Sequence, residues 1–202
     1  MKKLTLTMMN PDPLIQFSRW FDEAKQCERI ANPDAMCLST ISPEGLPEGR
    51  IVLLKDVNAD GFAFFTNTDS PKGLSLRHTP LAALTFYWQW FERQVRIQGS
   101  VVSISDSDAD RYFSSRHRNS QIGAWSSLQS AVMDTEDELS VRFQHFNEKY
   151  RENQVPRPPY WSGYRVVPDT IEFWQGQDFR LHDRFMYSRT SENGWKIERL
   201  YP

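Results

Sequence analysis

The feature that most restricts the fold of this chain is a succession of short segments rich in aromatic and β-branched residues, divided by hairpin-type turns. Residues 35–41 stop at Ser42-Pro43-Glu44-Gly45, residues 50–57 stop at Asn58-Ala59-Asp60-Gly61, and residues 62–66 follow at once. Residues 81–90 and 93–104 are longer runs of the same kind. Three more lie near 161–167, 170–175 and 180–189, and a closing run spans about 195–200. Parallel strands need crossovers of a dozen or more residues, so runs joined by tight turns point to an antiparallel barrel. Helices flank it. Asp12-Pro13 opens one, with Leu14, Phe17, Trp20, Phe21, Ala24, Cys27 and Ile30 recurring every three or four positions. Others are expected over about 70–78, 106–116 and 134–151, and the proline-rich stretch 155–159 reads as a linker or extended arm.

Composition narrows the partners. A length of 202 residues supports a core without disulfides or metals, and a net charge of −2 gives no basic field for nucleic acid or membrane. An anion site must therefore be built locally. The only cysteines, Cys27 and Cys37, form no CxxC or Cys/His cluster, so a reducing compartment without structural metal is expected. No secretion-type apolar run or membrane-length segment is present, and a cytoplasmic location follows as the expectation. The aromatic content of 13% fits a large core and equally a flat cofactor held by stacking. Neither GxGxxG nor GxxxxGK[ST] occurs, which argues against dinucleotide-fold and P-loop phosphate binding.

Four constellations carry chemistry. In Arg50-Ile51-Val52-Leu53-Leu54-Lys55, two cations bracket four apolar residues, a pattern that also describes a buried strand with charged ends. In Thr66-Asn67-Thr68-Asp69-Ser70-Pro71-Lys72, a helix start directly after a strand offers free N–H groups, hydroxyls and a lysine to a phosphate. Tyr112, Arg116 and Ser120 recur every four residues, so one helix face would present a phenol, a guanidinium and a hydroxyl to a phosphate ester. Arg180, His182 and Arg184 would share one face of a strand, an arrangement that repels itself unless an anion or electron-rich group lies opposite.

In this order and spacing, the four constellations resemble the pyridoxine/pyridoxamine 5'-phosphate oxidase family. The likeness is most specific in IEFWQGQDFRLHDR at 171–184. SQIGAWSSLQS at 120–130, ERQVRIQG at 92–99 and RIVLLK at 50–55 add to it, and it runs from about residue 11 to Pro202. The resemblance implies a β-rich α+β fold, an FMN-binding split β-barrel that is antiparallel and Greek-key-like, with flanking helices. It would form one domain over 1–202, with an N-terminal arm and helix over 1–32. It also implies a homodimer with FMN at the subunit interface.

Carried over by resemblance, Arg50, Lys55, Lys72, Gln129 and Ser130 would hold FMN, chiefly at its phosphate end. Leu53, Leu54, Phe65 and Thr66 would line the flavin, and Gln94, Trp174 and Arg184 would complete its site. Lys55, Tyr112, Arg116 and Ser120 would meet the substrate phosphate. Arg180 and His182 would hold the pyridine ring and act as the catalytic pair. No metal is implied. The reaction would be oxidation of pyridoxine or pyridoxamine 5'-phosphate by O2 to pyridoxal 5'-phosphate, with release of H2O2 and, from the amine, NH3. Two alternatives stay open: a phenazine-biosynthesis type of split-barrel oxidase, and a non-catalytic FMN- or pyridoxal-phosphate-binding protein. The chain departs from the family pattern at Pro71, where an arginine is usual, at Phe65, where tyrosine is frequent, and in lacking a basic N-terminal segment.

Overall fold

The computed structural model describes residues 3–192 and 194–202. Nine strands form one antiparallel sheet: β1 (Ala35–Ile41), β2 (Pro47–Leu53), β3 (Asp56–Asn58), β4 (Gly61–Asn67), β5 (Leu81–Trp88), β6 (Arg93–Ser103), β7 (Trp161–Gln175), β8 (Asp183–Arg189) and β9 (Trp195–Leu200). The path runs β2-β1-β5-β6-β7-β4-β3, with β8 added to β7 and β9 to β8. It curls into a split barrel, as expected.

The long strand β7 organises the whole. Its first half pairs with β4 (Trp161–Val166 against Asn67–Phe62), its second half pairs with β8 (Thr170–Gln175 against Ser188–Asp183), and β6 runs along both. The sequence suggested two strands here, near 161–167 and 170–175. The structure instead keeps the strand and shifts the register between Gln98 and Gly99, a bulge that absorbs a proline without an N–H. Residues 50–57, expected as one strand, are broken at Leu54-Lys55 into β2 and β3. Leu54 turns into the core, and the Lys55 N–H donates to the Ala63 carbonyl.

Among the described residues five α-helices flank the sheet: α1 (Pro13–Gln26), α2 (Pro71–His78), α3 (Asp106–Ser115), α4 (Arg118–Ser126) and α5 (Glu138–Lys149). In α1 the Asp12 carboxylate accepts from the Leu14 N–H, and the apolar face enters the barrel. There Phe17 packs edge-on to Phe62 at 4.9 Å and Trp20 edge-on to Phe173 at 5.2 Å. Of the 27 aromatic residues, 12 are buried, so the core takes up a large share of the aromatic content. A second cluster, Phe113, Ile122, Val155 and Trp161, joins α3 and α4 to the start of β7. The proline-rich stretch is packed into it rather than free: Val155 is buried, and Arg157 donates to Asp110 at 2.6 Å and Asp106 at 2.8 Å. The N-terminal arm is likewise tied down. The Leu4 N–H donates to the buried Asp183 carboxylate, and the Tyr187 hydroxyl donates to the Asn10 carbonyl. No helix among the described residues is long and apolar enough to cross a membrane.

Candidate active site

A cleft of about 520 Å³ opens between β2, β4, α2, α3 and α4. Leu53, Lys55, Phe65, Thr66, Lys72, Tyr112, Arg116, Ser120 and Gln129 all line it. The loop from β4 into α2 forms one end. Gly73 makes this loop possible, because a Cβ there would lie 2.2 Å from the Thr68 carbonyl oxygen. Ser70 precedes the helix without capping it. Its hydroxyl donates to the Asn67 carbonyl and accepts from Lys72 Nζ, so the first-turn N–H groups receive no side-chain cap. Lys72 Nζ also donates to Gln129 Oε1 at 2.8 Å and has no carboxylate partner among the described residues. Its pKa is lowered by burial first and by the Arg50 charge second. Free N–H groups and a lysine at a helix start are the chemistry that an anion requires.

The other end is aromatic and cationic. Phe65 stacks on Tyr112 at 4.1 Å and on Trp161 at 5.3 Å, nearly parallel to both. Gly163 lets the ring lie there, since a Cβ would sit 2.7 Å from it. The Arg116 guanidinium lies over Trp161 at 4.8 Å, and its buried Nη1 is without a hydrogen-bond partner among the described residues. Burial also lowers its pKa. A buried, unsatisfied guanidinium N–H beside a cleft is costly unless a ligand oxygen accepts from it. Lys55 differs: it is already paired with Asp34 at 2.9 Å.

The helix continuity expected through Tyr112, Arg116 and Ser120 is absent. α3 stops at Ser115, Arg116 is extended, and His117 starts α4 by accepting from the Asn119 N–H. Ser114 and Ser115 bond back to the carbonyls of Arg111 and Tyr112 at that end. The three side chains reach one cleft from two helices and the extended junction between them.

A second group sits apart. Gln94, Trp174 and Arg184 form one cross-strand row over β6, β7 and β8, and His182 packs on Trp174 at 4.6 Å. Arg180, His182 and Arg184 do not share a strand face, which corrects the sequence expectation. β8 begins only at Asp183, and Arg180 lies in a tight turn over Asp178–Arg180 in which Phe179 and Arg180 have φ of 56° and 63°. Nor is the repulsion argument sound for Arg184. It donates to Glu172 at 2.8 Å, a carboxylate hidden in sequence because it lies on the neighbouring strand. Burial alone would raise the Glu172 carboxyl, but hydrogen bonds from Arg184 and Arg96 outweigh it and hold the group low.

Three further expected residues lie outside the cleft. Arg50 is tied to Glu48 and Thr40, Leu54 is buried in the core, and Ser130, at φ 71°, lines a small neighbouring cavity. Trp161 was missed as a cleft residue, because a residue opening a strand after prolines gives no sign of what it will stack against.

Comparison with known proteins agrees with this architecture. Residues 22–174 match the family described as pyridoxamine 5'-phosphate oxidase, and residues 161–202 match the pyridoxine 5'-phosphate oxidase C-terminal dimerisation region, which supports a homodimer. The chain is 51% identical over 191 residues to a pyridoxine/pyridoxamine 5'-phosphate oxidase of Nostoc punctiforme, covering 95% of this chain and 89% of the relative. It is 52% identical over 194 residues to the enzyme so named in Burkholderia multivorans, covering 95% and 90%. Among solved structures, PhzG from Burkholderia lata 383, in complex with tetrahydrophenazine-1-carboxylic acid, superposes with a TM-score of 0.89 at 28% identity over 96% of this chain and 94% of that one. A pyridoxamine 5'-phosphate oxidase-related, FMN-binding protein from Nostoc punctiforme shares the fold, with a TM-score of 0.77 at 16% identity over 96% and 100%.

Proposed function

The chain belongs to the pyridoxamine 5'-phosphate oxidase family, and from that premise we propose that it oxidises pyridoxine 5'-phosphate and pyridoxamine 5'-phosphate to pyridoxal 5'-phosphate with FMN and O2. The residues present suit FMN: an uncapped helix start, Lys72 with no carboxylate partner among the described residues, and Gln129 fit its phosphate end, while Leu53, Phe65 and Thr66 offer a wall to its ring system. Bound FMN supplies the redox chemistry, accepting two electrons from the substrate carbon and returning them to dioxygen, which leaves as hydrogen peroxide.

The observation that carries the substrate reading is Arg116. Its spare buried N–H, with Tyr112, Ser120 and Lys55 on the same cleft, matches a phosphate ester that accepts several charged and neutral hydrogen bonds. Lys55 would share its charge between Asp34 and that phosphate. Arg180 and His182, as the catalytic pair, would orient the pyridine ring. Since neither lines the cleft, we take them to come from the partner of a two-fold dimer, together with Gln94, Trp174 and Arg184.

A second reading draws on the likeness to PhzG: a ring substrate bearing a carboxylate in place of the phosphate. The deciding experiment adds pyridoxine 5'-phosphate, pyridoxamine 5'-phosphate or unphosphorylated pyridoxine to FMN-loaded protein and follows peroxide. Turnover of both phosphorylated substrates, with pyridoxine about 100-fold poorer or worse in kcat/KM, is expected from loss of the charged contacts. No peroxide from either phosphate ester overturns the proposal.

A further inference from the structure

Beneath the phosphate-facing end of the cleft lies a carboxylate that has no part in the functions above. Glu48 Oε2 accepts from Arg50 Nη2 at 2.9 Å, from the Ser75 hydroxyl at 2.9 Å and from the Thr40 hydroxyl at 3.1 Å. Arg50 Nη1 donates to the same Thr40 oxygen at 2.6 Å. Ser75 is buried on the inner side of α2, and its hydroxyl also lies 2.8 Å from the Pro71 carbonyl. One carboxylate thus ties β1 and β2 to the helix whose first turn carries Lys72. The hydrogen bond from Ser75, followed by that from Arg50, holds the Glu48 carboxyl below its usual range, so it is charged at neutral pH.

The charge balance at this end follows. Arg50 is neutralised by Glu48, position 71 is a proline, and Lys72 is left as the cation without a carboxylate among the described residues there. We propose that Glu48 is an affinity-limiting residue, an internal counter-ion that cancels the charge of Arg50 just outside the cleft and so weakens the hold on the FMN phosphate, while fastening α2 in place. The proposal rests on the reading that this end receives the FMN phosphate. Glu48 does not line the cleft and acts through Arg50 and Ser75.

The test is Glu48→Gln, which keeps a carbonyl acceptor for Arg50 and Ser75 and removes the charge. FMN and riboflavin are titrated into flavin-free wild type and variant by fluorescence quenching. FMN is expected to bind the variant about 3- to 10-fold more tightly, the scale of one partly exposed charge contact, with the gain shrinking as salt rises. Riboflavin, which has no phosphate, is expected to bind both alike. Unchanged or weaker FMN binding by the variant, or an equal gain for riboflavin, overturns the proposal while leaving the cofactor reading intact. A wild type that binds no FMN removes both.

Discussion

The two groups of functional side chains keep their charge in opposite ways. In the cleft, Lys72 and Arg116 are half-buried cations without a carboxylate partner among the described residues, held ready by Gln129 on one side and Trp161 on the other. On the β6–β7–β8 face the charge is spent internally: Arg184 is bonded to Glu172, and His182 Nδ1 accepts from the Gln177 N–H. Beside that satisfied row, the turn carrying Arg180 projects outward with Phe179 and Leu181 exposed. Two successive non-glycine residues in the left-handed region cost about 1 kcal/mol or more each, so the surrounding frame must hold them there. The difference teaches that the cleft keeps cationic hydrogen-bonding capacity in reserve, whereas the other face spends its own on the frame and leaves one turn exposed.

The sharpest way to break this comparison is Arg116→Ala. If its spare N–H meets the substrate phosphate, kcat/KM for pyridoxine 5'-phosphate falls about 100-fold, as expected for a buried charged hydrogen bond, while FMN binding is unchanged. Steady-state kinetics beside a flavin titration would show it, and equal kcat/KM in the two proteins would deny the cleft its role.

A smaller effect probes the other face. Burial first, and the Asp12 charge second, push the Tyr187 phenol up to about 12. The unfolded chain loses this proton near pH 10, so the stability it contributes is complete below pH 10 and fades as pH rises towards 12. Tyr187→Phe is expected to cost about 1 kcal/mol at neutral pH, through loss of the bond to the Asn10 carbonyl. It should also make the fall in stability between pH 10 and 12 shallower. Denaturant melts across that range measure both, and parallel curves would mean Tyr187 does not brace β8.

The smallest expected effect returns to the cleft. Pro71→Arg adds a cation at a helix start that already has Lys72, and should tighten FMN a few-fold, the usual scale for one exposed charge. Equal affinity would show that this end of the cleft is already saturated.

Much of this was legible in sequence, for local reasons. β1, α2 and β9 follow from alternation, a proline in the first helical turn and turn signals that lie within each segment. The cleft residues could be listed because 50–55, 66–72 and 112–120 each carry their chemistry in a short span. What stayed hidden is long-range. Whether Pro168 ends a strand or sits in a bulge is decided by Gly99, far away on β6. The mate of Arg184 is Glu172, on the neighbouring strand, and Glu48 gathers partners from β1, β2 and α2. The turn at 178–180 escaped because alternation of charge looked like a strand, while the backbone there is left-handed.

The central claim is that a working site takes the cleft of one chain and the exposed turn of another. Co-expression of Arg116→Ala and His182→Ala chains tests it directly, after each has been shown to be inactive alone. With the site shared across a two-fold axis, each mixed dimer holds one doubly damaged and one intact site, so about a quarter of wild-type activity returns from random pairing. If each site were built within a single chain, every site in the mixture would carry one lesion and no activity would return.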